Sequence, residues 1–222
     1  MSSFTVRYVN AARIVLVAFI TFIASIVHTV MGLVVAGLFP SVAATVGVFR
    51  RWALAEDHTW TIKETWLLFH RLWRAELVRA NSLGWIEAAL WAVLLFDYWV
   101  VNFHVTNAFG TFLSGFLLVL MIFVLLATVV SWVLHAHFDE SVLWIVRMTL
   151  QMIIARPLMS LLLAIGELAV LAAYWQWPGL LMTFGLSIPC AVSTWVVWQY
   201  GHLPGFNPAD KRGDGTVPSV QG

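Results

Sequence analysis

The sequence contains one uncharged run of 36 residues, from Ile14 to Phe49, with Pro40 inside it. As a single helix, the run would be about 54 Å long, nearly twice the roughly 30 Å hydrocarbon core of a bilayer. A turn at Gly37 and Pro40 would instead fold it into two shorter helices, since proline is well tolerated in the first turn of a helix. We therefore predict an N-terminal helical hairpin or re-entrant element that turns at Pro40, with one long helix as the alternative.

The composition places the chain in a membrane. It is 61% hydrophobic and 10% charged, whereas a soluble domain is about half apolar and a quarter charged. Long apolar runs recur, and we predict an all-α, polytopic transmembrane helical bundle formed by one domain, residues 1–200. The Gly- and Pro-rich residues 201–222 predict a disordered cytoplasmic tail. The bundle would contain about five to six membrane segments, near 13–37, 40–54, 83–101, 108–134, 157–175 and 179–199.

The basic residues predict how the chain is oriented. Lys and Arg concentrate in the polar stretches 56–81 and 135–156 and in the tail, while the short connections 102–107 and 176–178 contain neither. Basic loops favour the cytoplasmic side. We therefore predict a multi-pass cell-membrane protein whose polar stretches and C-terminus are cytoplasmic. Arg7 and Arg13 predict a cytoplasmic N-terminus as well, which the hairpin would allow.

The first polar stretch predicts an amphipathic helix over about residues 59–80. Thr61 and Glu64 have the spacing of a capping box, in which each side chain bonds the other residue's backbone N–H. Apolar and basic residues then fall on different faces of the helix, as in helices that lie in the membrane interface. We expect this helix to contact the membrane surface or a partner protein. The candidate contact residues are Lys63, Trp66, His70, Arg71, Trp73 and Arg74.

Ionisable residues at membrane depth form a second candidate site. Such residues are costly in a bilayer and usually face a bundle interior or a cavity. Glu87 and Glu167 could together line the polar path of a small transporter or channel and bind a cation, a proton or a sugar hydroxyl. Alternatively, each could hydrogen-bond between helices and specify packing. His28, inside the uncharged run, is another ionisable residue at membrane depth.

The residues His135, His137 and Asp139 raise the question of a metal site. An extended His-x-His can present two imidazoles to one metal, but no further ligand follows at a matching spacing. We therefore predict no metal, and expect Asp139 to cap the following helix. The sequence has no nucleophile elbow, phosphate loop or redox cysteine pair. We predict no enzymatic activity, no catalytic residues, no cofactor and no nucleic-acid binding.

Three segments carry a family resemblance: Gly37 to Trp52, Phe69 to Arg74, and Asn81 to Gly84. They resemble the YesL-like bacterial integral membrane family, domain of unknown function 624, although Ser41 stands where alanine is usual. The resemblance implies a small polytopic protein that is accessory to ABC-type carbohydrate or oligosaccharide uptake. Its partners would then be the lipid bilayer and the permease subunits of a carbohydrate transporter. The family has no established catalytic residues to transfer.

Overall fold

The computed structural model describes residues 3–55, 57–105 and 107–201, with side chains from residue 11 onward. The predicted tail, apart from residue 201, and the side chain of Arg7 lie outside the described residues. The regular elements of the described ranges are all helices, which confirms the all-α prediction. They are α1 (Ser3–Met31), α2 (Leu38–Leu54), α3 (Ile62–Ala75), α4 (Arg79–His104), α5 (Ala108–His137), α6 (Val142–Ala155), α7 (Pro157–Gln176), α8 (Pro178–Phe184) and α9 (Ser187–Tyr200).

The long uncharged run folds as two helices, so the prediction of a helical hairpin is confirmed. The turn occupies residues 32–37, slightly earlier than expected, and Pro40 lies in the first turn of α2. The turn is tight at two glycines, because a Cβ on Gly32 would lie 2.3 Å from the Cα of Gly37. Leu33 and Val34, with φ of 55° and 65°, adopt a left-handed conformation that is uncommon for residues other than glycine.

Among the described residues, four helices are long and apolar enough to cross a membrane: α4, α5, α7 and the part of α1 from Ala11. A fifth span is formed if α8 and α9, which are bent by 78°, count as one crossing. The predicted segment 40–54 corresponds to α2, whose 17 residues extend only about 26 Å. The helix α2 is thus the predicted second arm of the helical hairpin or re-entrant element, and the described residues contain four or five candidate spans where five to six membrane segments were predicted.

The core of the bundle is built around α2. This helix packs against α1, α3, α4, α5 and α9, and most of its side chains are buried. Ala43, Ala44 and Gly47 are small enough to let the neighbouring helices approach closely. In contrast, only 11% of the most apolar stretch of α4 is buried inside the protein. Such low burial fits a helix surface that faces lipid.

The predicted capping box is present at the start of α3. The backbone N–H of Glu64 donates to Thr61 Oγ1 at 3.3 Å, and the backbone N–H of Thr61 donates to Glu64 Oε2 at 2.8 Å. The bonds that the Glu64 carboxylate accepts from the backbone N–H and the hydroxyl of Thr61 hold the pKa of Glu64 below its ordinary value of 4.5. The predicted helix 59–80 is divided, however, because α3 ends at Ala75 and α4 begins at Arg79.

We expect Thr61→Ala to lower the midpoint of thermal unfolding by about 2–4 °C, because the helix start loses its cap. The chain has one cysteine, Cys190, which is buried, so its reaction with a thiol-reactive dye reports unfolding in detergent. Thr111→Ala, at an exposed position of α5, is the control. Since folding depresses the pKa of Glu64, protonation of its carboxylate removes the cap from the wild type as well. The difference in unfolding midpoint between the wild type and Thr61→Ala should therefore narrow as the pH falls below 4.5. Equal midpoints for the two variants would contradict a role for the cap.

Candidate functional site

The amphipathic helix α3 packs along α1 and α2. It buries Thr65, Phe69 and Trp73, and Trp73 Nε1 donates a hydrogen bond to the carbonyl oxygen of Gly37 at 3.3 Å. The aromatic face of this helix is therefore covered by protein. This differs from the expectation that the same face would lie in the membrane interface.

A buried histidine at the end of α1 is the centre of this packing. His28 is 1% exposed, and the rings of Trp66, Phe69, His70 and Trp73 all have centroids 5.1–5.5 Å from its own. Two of the predicted contact residues, Trp66 and Trp73, thus serve to join α3 to α1.

Hydrogen bonds fix the orientation of both histidines. His28 Nδ1 lies 2.8 Å from the carbonyl oxygen of Ala24, and His28 Nε2 lies 3.0 Å from His70 Nδ1. Because a carbonyl can only accept, Nδ1 of His28 carries the hydrogen. A neutral His28 then accepts at Nε2 from the Nδ1–H of His70. The second nitrogen of His70 is left for other partners.

The outer face of α3 is basic. Lys63, Arg71 and Arg74 are exposed, and none of them forms an ion pair with a carboxylate of the described residues. An open groove of about 510 Å³ runs along this face, lined by Leu67, His70, Arg71, Arg74 and Ala75. The structure thus brings four of the six predicted contact residues to one side of the helix, with the two tryptophans on the packed side.

A polar junction connects the two polar stretches of the sequence. His135 Nε2 lies 2.9 Å from Glu76 Oε2, and Arg79 Nη1 lies 2.7 Å from Asp139 Oδ1. Arg79 Nη2 also donates to the carbonyl oxygens of Phe138 and Glu140, each at 3.2 Å. Both polar stretches therefore meet at the same end of the α4–α5 pair.

The two histidines of the His-x-His motif bond to different partners. His135 faces Glu76, while His137 Nδ1 accepts a hydrogen bond from Arg50 Nε at 2.9 Å. The described residues contain no group of three or more His, Cys, Asp or Glu side chains that could hold a metal. The prediction that Asp139 caps the next helix is wrong, because Ser141 occupies the cap and accepts from the N–H of Trp144 at 3.4 Å.

The structure places the two intramembrane glutamates on helices that do not pack extensively on each other. Glu87, in α4, accepts a hydrogen bond from Ser131 of α5 at 2.5 Å. Glu167, in α7, is buried on the side that packs against Cys190 and α9. A cavity of about 230 Å³ is lined by Glu87 and does not include Glu167. The bond of Glu87 to Ser131 matches the packing interpretation of that residue.

Sequence reasoning missed the polar junction. In the sequence, Arg79 is one of several basic residues of the first polar stretch, and nothing distinguishes Glu76 from the other acidic residues there. Charges at helix ends are common, and nothing in the local spacing identifies a partner 59 residues away, as in the pair Glu76–His135. The available signal was that both polar stretches carry acidic residues beside their basic ones.

These features define an all-helical membrane protein with four or five candidate spans. Residues 14–98 match the model of a family described as protein of unknown function, DUF624, which confirms the predicted resemblance to this family over that part of the chain. It is also similar to the uncharacterized protein YteU of Bacillus subtilis (strain 168). The two are 26% identical over 165 residues, which cover 72% of this chain and 69% of the relative. No solved structure matches the chain.

Proposed function

We propose that the protein is a non-enzymatic membrane protein that acts by binding a partner protein through the outer face of α3. One observation carries this proposal. The aromatic side of α3 packs on α1 and α2, while Lys63, Arg71 and Arg74 point outward without acidic partners among the described residues. A helix that is fixed on one side and basic on the other presents a surface to something outside the chain.

The surface is also rigid. His70 is held by His28, and Phe69 and Trp73 on the packed side are buried at 0% and 8% exposure. Binding to a surface that is already ordered loses less conformational entropy than binding to a mobile one. This rigidity supports a docking role for the groove beside Arg71 and Arg74.

The chemistry of the face selects an acidic partner. Arginine pairs with carboxylates through two parallel hydrogen bonds, which adds specificity to the charge attraction. The positive-inside pattern favours a cytoplasmic position for this face. The family resemblance suggests that the partner is a permease subunit of an ABC-type carbohydrate or oligosaccharide importer, so that the protein is an accessory subunit of sugar uptake. The separate positions of Glu87 and Glu167 give no support to the alternative of an independent transporter or channel.

The test is recovery of the partner from membranes of the native host. We expect the tagged protein, extracted into nanodiscs, to recover sugar-importer permease subunits in stoichiometric amounts by quantitative mass spectrometry. The double variant Arg71→Glu/Arg74→Glu should lower this recovery by about tenfold or more, because it turns an attraction into a repulsion.

The matched control is Arg51→Glu/Arg147→Glu, which makes the same change of charge at exposed positions of α2 and α6. It should leave recovery unchanged. If both double variants behave alike, α3 is not the docking surface. If the wild-type protein is recovered alone, the role as an accessory subunit is wrong.

A further inference from the structure

An apolar cavity lies between α4, α5 and α6, away from the α3 face. Its volume is about 230 Å³. This is larger than the roughly 150 Å³ cavity that accommodates benzene, and smaller than the roughly 300 Å³ at which pockets for drug-sized molecules begin. Most of its walls are apolar: Leu83, Ile86, Leu90, Phe123, Val124, Ala127, Val146 and Leu150.

Two polar atoms of the cavity residues have no hydrogen-bond partner in the described part of the chain: Glu87 Oε2 and Thr149 Oγ1. Thr149 is 2% exposed, so its hydroxyl is shielded from bulk water. The hydroxyl of Ser131 already donates to Glu87 Oε1, and the side chain of Trp132 also interacts with this carboxyl group. A threonine hydroxyl in a helix can usually bond the carbonyl four residues earlier, and here it does not.

We propose that this cavity binds a small aliphatic alcohol. The alkyl part would contact the apolar walls. The alcohol O–H would donate to Glu87 Oε2, while its oxygen would accept from the hydroxyl of Thr149. A lipid acyl chain could fill the same volume, but it has no atom that bonds either group. An eight-carbon alcohol lies between benzene and a drug-sized molecule, which matches the volume.

The experiment uses the full chain in nanodiscs and a photoactivatable octanol that carries a diazirine. After irradiation, the labelled residues are identified by mass spectrometry. We expect saturable labelling of cavity-lining residues in α4, α5 and α6. Unlabelled n-octanol should prevent this labelling about tenfold more effectively than n-octane, since the alkane lacks the hydrogen-bonding group.

Two pairs of variants test the polar contacts. Thr149→Val removes the hydroxyl and keeps the shape, and should weaken labelling about tenfold. Its control is Thr21→Val, because Thr21 of α1 is also buried, at 0% exposure, with an unpartnered hydroxyl. Glu87→Met should weaken labelling in the same way, whereas Glu167→Met, which removes the other buried carboxyl group, should not.

Each outcome decides the proposal. Saturable labelling that depends on Thr149 and Glu87, but not on Thr21 and Glu167, supports an alcohol site. Labelling that does not saturate, or that octane prevents as well as octanol, would show that the cavity between α4, α5 and α6 holds only bulk lipid. Labelling that survives both Thr149→Val and Glu87→Met would likewise overturn the proposal. None of these results depends on whether the α3 face binds a partner protein.

Discussion

Replacing Gly84 by leucine is expected to lower the midpoint of thermal unfolding by about 6–12 °C. A Cβ at this position would lie 2.1 Å from Cγ of Phe39, far inside van der Waals contact. The Phe39 ring is held at 5.2 Å from the ring of Trp85 and at 6.2 Å, stacked, from that of Trp132. Overpacking of this kind costs about 3 kcal/mol, and each kcal/mol corresponds to about 2–4 °C in a chain of this length.

The control for Gly84→Leu is Gly115→Leu. Gly115 lies in α5, and a Cβ there would meet no atom within 4 Å. Leucine is also the better helix former by almost 1 kcal/mol, so this variant should unfold at the same temperature as the wild type or higher. The reaction of buried Cys190 with a thiol-reactive dye provides the measurement. Equal midpoints for the two glycine variants would show that α2 and α4 do not meet at Phe39.

A second variant identifies the cause. As a single change, Phe39→Ala should lower stability, because it leaves a cavity beside Trp85 and Trp132. In the double variant with Gly84→Leu, the new side chain can occupy part of the space left by the ring. We therefore expect the double variant to be more stable than the sum of the two single changes predicts, by about 1 kcal/mol or more.

The sequence predicts the features of this fold that depend on local spacing. The capping box at Thr61 and Glu64 and the two faces of α3 follow from positions three and four residues apart. The hairpin follows from the length of one uncharged run. Four of the long apolar runs correspond to candidate spans for the same reason, because a helix must be long and apolar to cross a bilayer.

The break between α8 and α9 could not be predicted in this way. Hydropathy stays high across residues 179–199, and no charge marks the bend of 78°. The backbone turns at Gly185, with φ of 31°, a conformation that glycine adopts without strain. A glycine alone does not indicate a bend, however, since Gly115 and Gly166 lie inside continuous helices.

For the candidate site, the sequence does not determine what the apolar face of a helix packs against. In water, such a face must pack on protein, but in a membrane it can face either lipid or a neighbouring helix. Hydropathy is the same in both cases. For this reason the aromatic face of α3 was expected in the interface, whereas Phe69 and Trp73 pack on α1 and α2.

Replacing His28 by alanine is the second change for which we expect a large effect. The side chain is 1% exposed and contacts four rings of α3, so its removal leaves a cavity and leaves the Nδ1–H of His70 without its acceptor. Together these losses should cost about 3 kcal/mol, which lowers the unfolding midpoint by about 6–12 °C. His104→Ala, at an exposed position near the end of α4, should change it by about 1 °C or less.

The contribution of the histidine pair can be separated from packing by a double-mutant cycle of His28→Leu and His70→Leu. Each single change leaves the other ring with a nitrogen that has lost its partner at 3.0 Å, whereas the double change removes both polar groups. If the bond between the rings stabilises the contact of α1 with α3, the double variant should cost about 1 kcal/mol less than the sum of the single variants. Simple additivity would mean that the bond between the two rings makes no measurable contribution to stability.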